Sequence, residues 1–201
     1  MKTEAVLFDI GGVLVELTGV AEFGTMIGQS GHDVILQRWM DCPWVQRYES
    51  GACGTAEFAD GVIEHFALEI TPERFLTHFG GWTNRMLPGA DALLRGLTDD
   101  VTIACLSNTN HTHWTSMQAA FSLHEYFDTY FLSFEIGAVK PDAAIFAHVC
   151  NALPCAPGAA LFFDDVRGNA DAARAAGLDA HHVNGPGEAR AILAGRGLLK
   201  D

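Results

Sequence analysis

Aspartates stand at the ends of two apolar runs that lie far apart in this chain. Asp9 directly follows Ala5–Phe8, and Asp164 and Asp165 directly follow Leu161–Phe163. A short apolar run that ends in polar residues is typical of a buried strand in a parallel sheet. The carboxyl ends of parallel strands meet at one edge, where open α/β sheets bind ligands, so we expect these carboxylates to lie together there.

Further polar residues follow other predicted strands and suit one reaction. Ser107 and Asn108 come after the apolar run 101–106, and Lys140 follows another short strand. A carboxylate at a strand end could attack phosphorus and form an acyl phosphate. A divalent cation held by carboxylates would neutralise the phosphoryl group, and a lysine and a hydroxyl would hold its oxygens. Because phosphoryl transfer depends mainly on positioning and charge neutralisation, these residue types suffice in kind.

The elements that must position these residues alternate between helix and strand after Pro88. Predicted strands cover residues 101–106, 130–133, 160–163 and 181–183. Predicted helices cover residues 90–97, 112–121, 141–151 and 168–176, with a last helix after Pro186. Together with the first strand, this alternation predicts an α/β fold: a Rossmann-like parallel sheet with helices on both faces.

The segment between the first strand and Pro88 has a helical pattern instead. We expect Thr55 to cap one helix and Thr71–Pro72 to begin another, which ends at Gly80–Gly81. The chain is therefore predicted to form a core of residues 1–15 and 88–201 with a helical cap, residues 16–87, inserted after the first strand. The aromatic residues of the cap are expected to form its own core rather than a substrate site. They are Trp39, Trp44, Phe58, Phe66 and Trp82.

Composition narrows the class of protein. Aspartate and glutamate number 25 against 12 lysines and arginines, and the net charge of -13 argues against a nucleic-acid partner. No apolar run approaches the roughly 20 residues of a membrane span, and the first strand leaves no room for a signal peptide. The cysteines form no CxxC pair, which favours reduced thiols. We therefore expect a cytoplasmic protein with no membrane partner, and composition leaves both a monomer and a homodimer open.

The chemistry-bearing residues lie in four segments: 9–14, 106–110, 140–142 and 163–165. In this order, the segments resemble the four motifs of the haloacid dehalogenase-like hydrolases. Within that superfamily the chain is most similar to the bacterial α-D-glucose-1-phosphate phosphatases and to the phosphatase domain of soluble epoxide hydrolases. The string Tyr48-Glu49-Ser50-Gly51 adds to the resemblance to the glucose-1-phosphate phosphatases.

The resemblance implies a nucleophile and a magnesium site. Asp9 would attack phosphorus and also bind the metal. The backbone carbonyl of Gly11 and the Asp165 carboxylate would be further ligands, with Asp164 as a supporting carboxylate at the same site.

The resemblance also implies how a substrate is held. Ser107 and Asn108 would bind the phosphate, and Lys140 would act in catalysis and binding by bridging the phosphate and Asp9. The implied activity is magnesium-dependent hydrolysis of a small phosphorylated metabolite, with sugar 1-phosphates as candidates. Arg47 and Glu49, in the cap, are candidates for specificity contacts.

Gly11 departs from this pattern. Most phosphatases of the superfamily have aspartate two residues after the nucleophile, where it protonates the leaving group and activates water. A substrate with a good leaving group would need less protonation. Glu16, His111 or His113 could instead reach the site, although a loop position for the glutamate and surface positions at a helix start for the histidines are favoured.

Gly11 keeps two other functions open. The 2-haloacid dehalogenases also lack the second aspartate, but they need no metal and no aspartate pair at the fourth strand end. Asp164 and Asp165 therefore favour a phosphatase. A non-catalytic protein that binds a phosphorylated metabolite is the remaining alternative, and the intact Asp9 and Lys140 argue against it.

Overall fold

A parallel sheet of five strands, in the order β3-β2-β1-β4-β5, forms the centre of the molecule. The computed structural model describes residues 2–83 and 85–200. The strands are β1 (Ala5–Phe8), β2 (Thr102–Ser107), β3 (Thr129–Leu132), β4 (Ala160–Asp164) and β5 (Asp179–His182). Every neighbouring pair is parallel, as the alternation of helix and strand predicted.

Helices connect the strands and also fill the segment after β1. They are α1 (Gly19–Met26), α2 (His32–Met40), α3 (Pro43–Glu49), α4 (Thr55–Phe66), α5 (Pro72–Gly80), α6 (Ala90–Arg95), α7 (His111–Phe121), α8 (Ser133–Ile136), α9 (Ala143–Ala152), α10 (Arg167–Ala175) and α11 (Pro186–Gly195). No helix in the described ranges is long and apolar enough to cross a membrane.

Strand β1 is the middle of the sheet and is fully buried. Its side chains alternate between two apolar clusters. Val6 and Phe8 belong to the cluster that includes residues of α6, α7 and α11, whereas Ala5 and Leu7 belong to the one that includes residues of α9 and α10. Helices therefore cover both faces, which confirms the predicted Rossmann-like architecture. Each fully buried large apolar side chain contributes about 1.5–3 kcal/mol.

The strand register sets the position of the polar residues. Phe8 pairs with Cys105 on one side and with Phe163 on the other. Asp9, the residue directly after β1, therefore lies level with Asp164. The Asp9 N–H donates to the Phe163 carbonyl at 2.8 Å. The central strand thus ends at the same edge as its neighbour β4.

The helices α1–α5 surround a separate apolar cluster. Phe58, Phe79 and Trp82 are buried in it. Trp39, Trp44 and Phe66 are partly buried and pack against it, so the prediction that the cap aromatics form a core is confirmed. The chain enters and leaves this segment side by side, with the Glu16 N–H on the Arg85 carbonyl at 2.9 Å. Division into a core of residues 1–15 and 88–201 and a cap of 16–87 stays a prediction.

The two threonines expected at helix starts, Thr55 and Thr71, behave differently in the structure. The Thr71 hydroxyl accepts from the Arg74 N–H at 3.4 Å, as expected of a cap. The expectation for Thr55 was wrong, because Gly54 precedes α4 and provides no side chain. The Thr55 hydroxyl instead contacts the Tyr48 hydroxyl at 2.8 Å, a tertiary contact that local propensity does not encode.

Candidate active site

Lys140 joins the two strand ends that the sequence predicted to meet. Its ammonium lies 2.9 Å from Asp9 Oδ1 and 2.6 Å from Asp164 Oδ2. It also donates to the Leu106 carbonyl at 3.1 Å. Three oxygens thus match its three N–H donors. Burial by itself would lower the pKa of Lys140, but the carboxylates of Asp9 and Asp164 outweigh it and raise that pKa.

Asp9 is nearly inaccessible, with 7% of its surface exposed. Its Oδ1 accepts from the Ile10 N–H at 2.7 Å and faces Lys140, whereas its Oδ2 accepts no hydrogen bond from the described residues. Burial raises the pKa of Asp9 to about 7; Lys140 opposes the shift, and the nearby Asp164 and Asp165 add to it. One oxygen is therefore fixed and the other is open for a bond to a substrate.

Asp164 is fully buried and satisfied by internal donors. Its Oδ1 accepts from the Val166 N–H at 2.8 Å and from Asn169 Nδ2 at 3.0 Å, and its Oδ2 receives Lys140. Its contacts make it an anchor for Lys140. The sequence analysis did not predict a role for Asn169. The one feature that could have indicated it is an amide side chain on the buried side of an alanine-rich helix.

Asp165 lies against the turn after Asp9. A Cβ on Gly12 would be 2.0 Å from Asp165 Oδ2, and Gly12 also has φ +68°, so both space and backbone require glycine there. Burial, together with the charge of Asp164, raises the pKa of Asp165, against the influence of Lys140. No other residue of the described ranges donates a hydrogen bond to its side chain.

The donor set fits a divalent cation. Carboxylate oxygens of Asp9, Asp164 and Asp165 all lie within 4.8 Å of one another. Three ionised carboxylates carry more negative charge than Lys140 balances, and hard oxygen ligands suit Mg²⁺. The Gly11 carbonyl, the other predicted ligand, accepts no hydrogen bond from the described backbone.

Asn108 and Ser107 end the strand β2 beside this cluster. The Asn108 amide spans the backbone of Lys140: its Nδ2 donates to the Lys140 carbonyl at 2.9 Å, and its Oδ1 accepts from the Lys140 N–H at 2.7 Å. The Asn108 side chain therefore fixes the lysine segment. Ser107 is buried, and its hydroxyl lies 3.5 Å from the Asn108 carbonyl.

Gly11 adopts an ordinary backbone conformation, and Leu17 covers it. A Cβ at Gly11 would be 3.2 Å from Leu17 Cδ1, a contact that Leu17, itself 54% exposed, could relieve by moving. The place where a second aspartate would begin is thus bordered by an apolar side chain.

The other predicted candidates fall in different places. Glu16 pairs with Arg85 at 3.2 Å, and Arg47 pairs with Glu57 at 2.8 Å. His111 is exposed, as expected. His113 differs from the expected surface position, because α5 packs over it and Phe79 lies against its ring at 4.0 Å between centroids.

Glu49 is a cap residue whose charge interacts with the cluster. It ends α3 and is half-buried. Burial raises its pKa to about 7, with Lys140 lowering and Asp9 raising that value. Glu49 was a candidate for a specificity contact, and its charge interacts with the nucleophile and the lysine.

Comparison with known proteins identifies the family. The model of the haloacid dehalogenase-like hydrolases matches residues 3–177, so the chain belongs to this family of enzymes and the resemblance in its motifs is confirmed.

Two comparisons lead to Bacteroides thetaiotaomicron, each with similarity over most of the chain. The chain is 28% identical over 174 residues to a D-ribitol-5-phosphate phosphatase, covering 82% of this chain and 84% of that protein. The magnesium complex of the enzyme bt-2542 has a TM-score of 0.75 at 24% identity, covering 92% and 94% of the two chains.

The fold also resembles a dehalogenase. The L-2-haloacid dehalogenase from Xanthobacter autotrophicus gives a TM-score of 0.66 at 21% identity, covering 88% of this chain and 75% of that one. At this identity the likeness concerns the fold alone, and the site residues must separate the two activities.

Proposed function

We propose that this chain is a magnesium-dependent phosphomonoester hydrolase for a small phosphorylated metabolite, with Asp9 as its nucleophile. The observation that carries the proposal is the cluster of Asp9, Asp164 and Asp165 around the buried Lys140. The similarity to a D-ribitol-5-phosphate phosphatase supports a phosphorylated polyol or sugar as substrate. Sugar 1-phosphates remain candidates.

Asp9, Asp165 and the Gly11 carbonyl would hold the magnesium ion, with Asp164 beside them. The ion would supply positive charge to the phosphate oxygens. Lys140, held by Asp164 and Asn108, keeps Asp9 oriented and binds the phosphate by exchanging one of its protein acceptors for a phosphate oxygen. Ser107 and the backbone of its loop bind the remaining phosphate oxygens.

Asp9 Oδ2 attacks phosphorus, and the bond from phosphorus to the leaving oxygen breaks. The product is an aspartyl phosphate and a free alcohol, whose oxygen takes up a proton. Water then attacks the same phosphorus, the bond to Asp9 breaks, and inorganic phosphate leaves. A proton is thus delivered in the first step and removed in the second.

A dehalogenase is less well supported by the same residues. Attack on a carbon that carries a halogen needs no divalent cation. The carboxylates of Asp164 and Asp165 would then place surplus negative charge beside a negatively charged nucleophile and substrate, which is unfavourable in a buried site.

The test measures phosphate release from α-D-glucose 1-phosphate, D-ribitol 5-phosphate and 4-nitrophenyl phosphate, with Mg²⁺ and with chelator. We expect turnover by the wild type with Mg²⁺ and loss of turnover with chelator or in Asp9→Asn. Chloride release from 2-chloropropionate in the presence of chelator would instead establish a dehalogenase. Equal, negligible rates for the wild type and Asp9→Asn would indicate a binding protein.

A further inference from the structure

Residues 10–15, which follow Asp9, provide no side chain that could transfer a proton. Gly11 has no side chain, and Leu17 lies where one would begin. Ile10 and Val13 are buried and apolar. Both steps of the proposed reaction move a proton, so the group that does this must come from another element.

Two carboxylates near this edge, those of Asp164 and Glu16, already have partners. Asp164 accepts from Lys140, Val166 and Asn169. Glu16 is engaged with Arg85 outside the cluster.

His113 is also engaged. Its Nε2 lies 2.9 Å from the Phe79 carbonyl, which requires an N–H there, and burial lowers its pKa to about 4. It is therefore a neutral donor to the cap backbone rather than a proton carrier.

Glu49 has no such partner. Its carboxylate forms no ion pair or hydrogen bond with residues 2–83 or 85–200. Lys140 and Asp9 are the charged groups that act on it, and its side chain is half-buried. A carboxyl group without a protein partner therefore lies in the cap segment that packs on the core, and its charge interacts with Asp9.

Contacts on both sides of Glu49 fix it relative to the core. On one side, the Tyr48 hydroxyl lies 2.7 Å from the Thr112 hydroxyl and accepts from the Thr112 N–H at 3.3 Å. On the other side, Gly51 has φ +70°, and a Cβ there would be 2.2 Å from the Phe134 carbonyl oxygen. The segment is therefore held against α7 and α8, the helices that follow β2 and β3.

We propose that the Glu49 carboxyl is the proton donor and acceptor of this enzyme, replacing the group that Gly11 lacks. The assignment rests on the proposed phosphatase function. In the first step the leaving oxygen takes the Glu49 proton as its bond to phosphorus breaks. In the second step the Glu49 carboxylate takes a proton from the attacking water, and Asp9 is released as a carboxylate.

The test compares Glu49→Gln with Glu57→Gln. Glu57 is an exposed cap glutamate paired with Arg47, so the control makes the same substitution away from the site. Substrates are 4-nitrophenyl phosphate, which has a good leaving group, and the alkyl or glycosyl phosphate that the wild type cleaves fastest. Proton transfer by a side chain contributes typically about 100- to 10,000-fold in rate.

We expect Glu49→Gln to lose about 100-fold or more in kcat/KM on the alkyl or glycosyl phosphate. On 4-nitrophenyl phosphate it should release a burst of 4-nitrophenolate equal to the enzyme present, followed by slow turnover, because the aspartyl phosphate persists. Glu57→Gln should behave as wild type.

Wild-type rates in Glu49→Gln would overturn the assignment, as would an equal loss on both esters without a burst, which indicates a binding role. Either result leaves the phosphatase function intact. Failure of the wild type to cleave any ester would remove the proposed function and the assignment together.

Discussion

At the scale of single residues, Asn108 illustrates the difference between a side chain that positions another residue and one that binds the substrate. Its amide is committed to the Lys140 backbone in both directions. The family resemblance implies a phosphate contact for Asn108, and that role stays a prediction. The partner of its amide in the structure is 32 residues away in the chain, and no local pattern encodes it.

We expect Asn108→Ala to lower kcat by about tenfold or more, equivalent to about 1.4 kcal/mol, with KM little changed. The reason is that Lys140 loses its backbone support while phosphate contacts persist. Steady-state kinetics on 4-nitrophenyl phosphate measure both constants. Asn184→Ala, at an exposed amide paired with Glu188, is the control. A rise in KM and weaker inhibition by phosphate would contradict this role.

At the scale of elements, the loop after α3 depends on one glycine. Gly51 combines a left-handed backbone with a close approach to the Phe134 carbonyl. Gly54, in the same loop, has φ -82° and open space around a Cβ. The two positions therefore differ in both strain and room.

We expect Gly51→Ser to lower the free energy of unfolding by about 1–3 kcal/mol through backbone strain and the steric clash. Activity should fall as well, because relief of the clash in this variant would move Glu49 away from α8. Gly54→Ser should be neutral or slightly stabilising, since serine is favoured at a helix N-cap. Urea denaturation of both variants measures the difference, and equal stabilities would refute this account of the loop.

The elements themselves were largely predictable. β1 and β4 were found because their apolar runs end in aspartate, and the alternation after Pro88 identified the parallel sheet. Burial of His113 was not predictable, because it depends on how α5 packs over α7. The same holds for the segment of Glu49, whose position depends on how α3 packs against α7 and α8.

At the scale of the whole molecule, acid should loosen the junction between α5 and α7. Burial lowers the pKa of His113 to about 4 from 6.5, while its bond to Phe79 opposes the shift. At pH values between about 4 and 6.5, His113 is protonated in the unfolded chain and neutral in the folded protein. Stability from this residue is therefore complete above pH 6.5 and is lost as pH falls toward 4.

We expect this residue to add up to about 1.4 kcal/mol per pH unit to the slope of the unfolding free energy in that window. His113→Gln keeps a donor for the Phe79 carbonyl but cannot titrate. Denaturation of both proteins at several pH values between the two limits gives the two slopes. Parallel slopes would show that His113 is protonated equally in both states.

The first turn of α7 has a consequence for substrate traffic. Tyr48 and Phe79, both from the inserted helices, bond to Thr112 and His113 in that turn, directly after the loop of Ser107 and Asn108. Asp9 itself is almost inaccessible. In the proposed reaction a metabolite must reach Asp9 and inorganic phosphate must leave it, so we expect these bonds between the inserted helices and α7 to open during the cycle. Opening of this junction, rather than cleavage of the ester, would then be the rate-limiting step of the catalytic cycle.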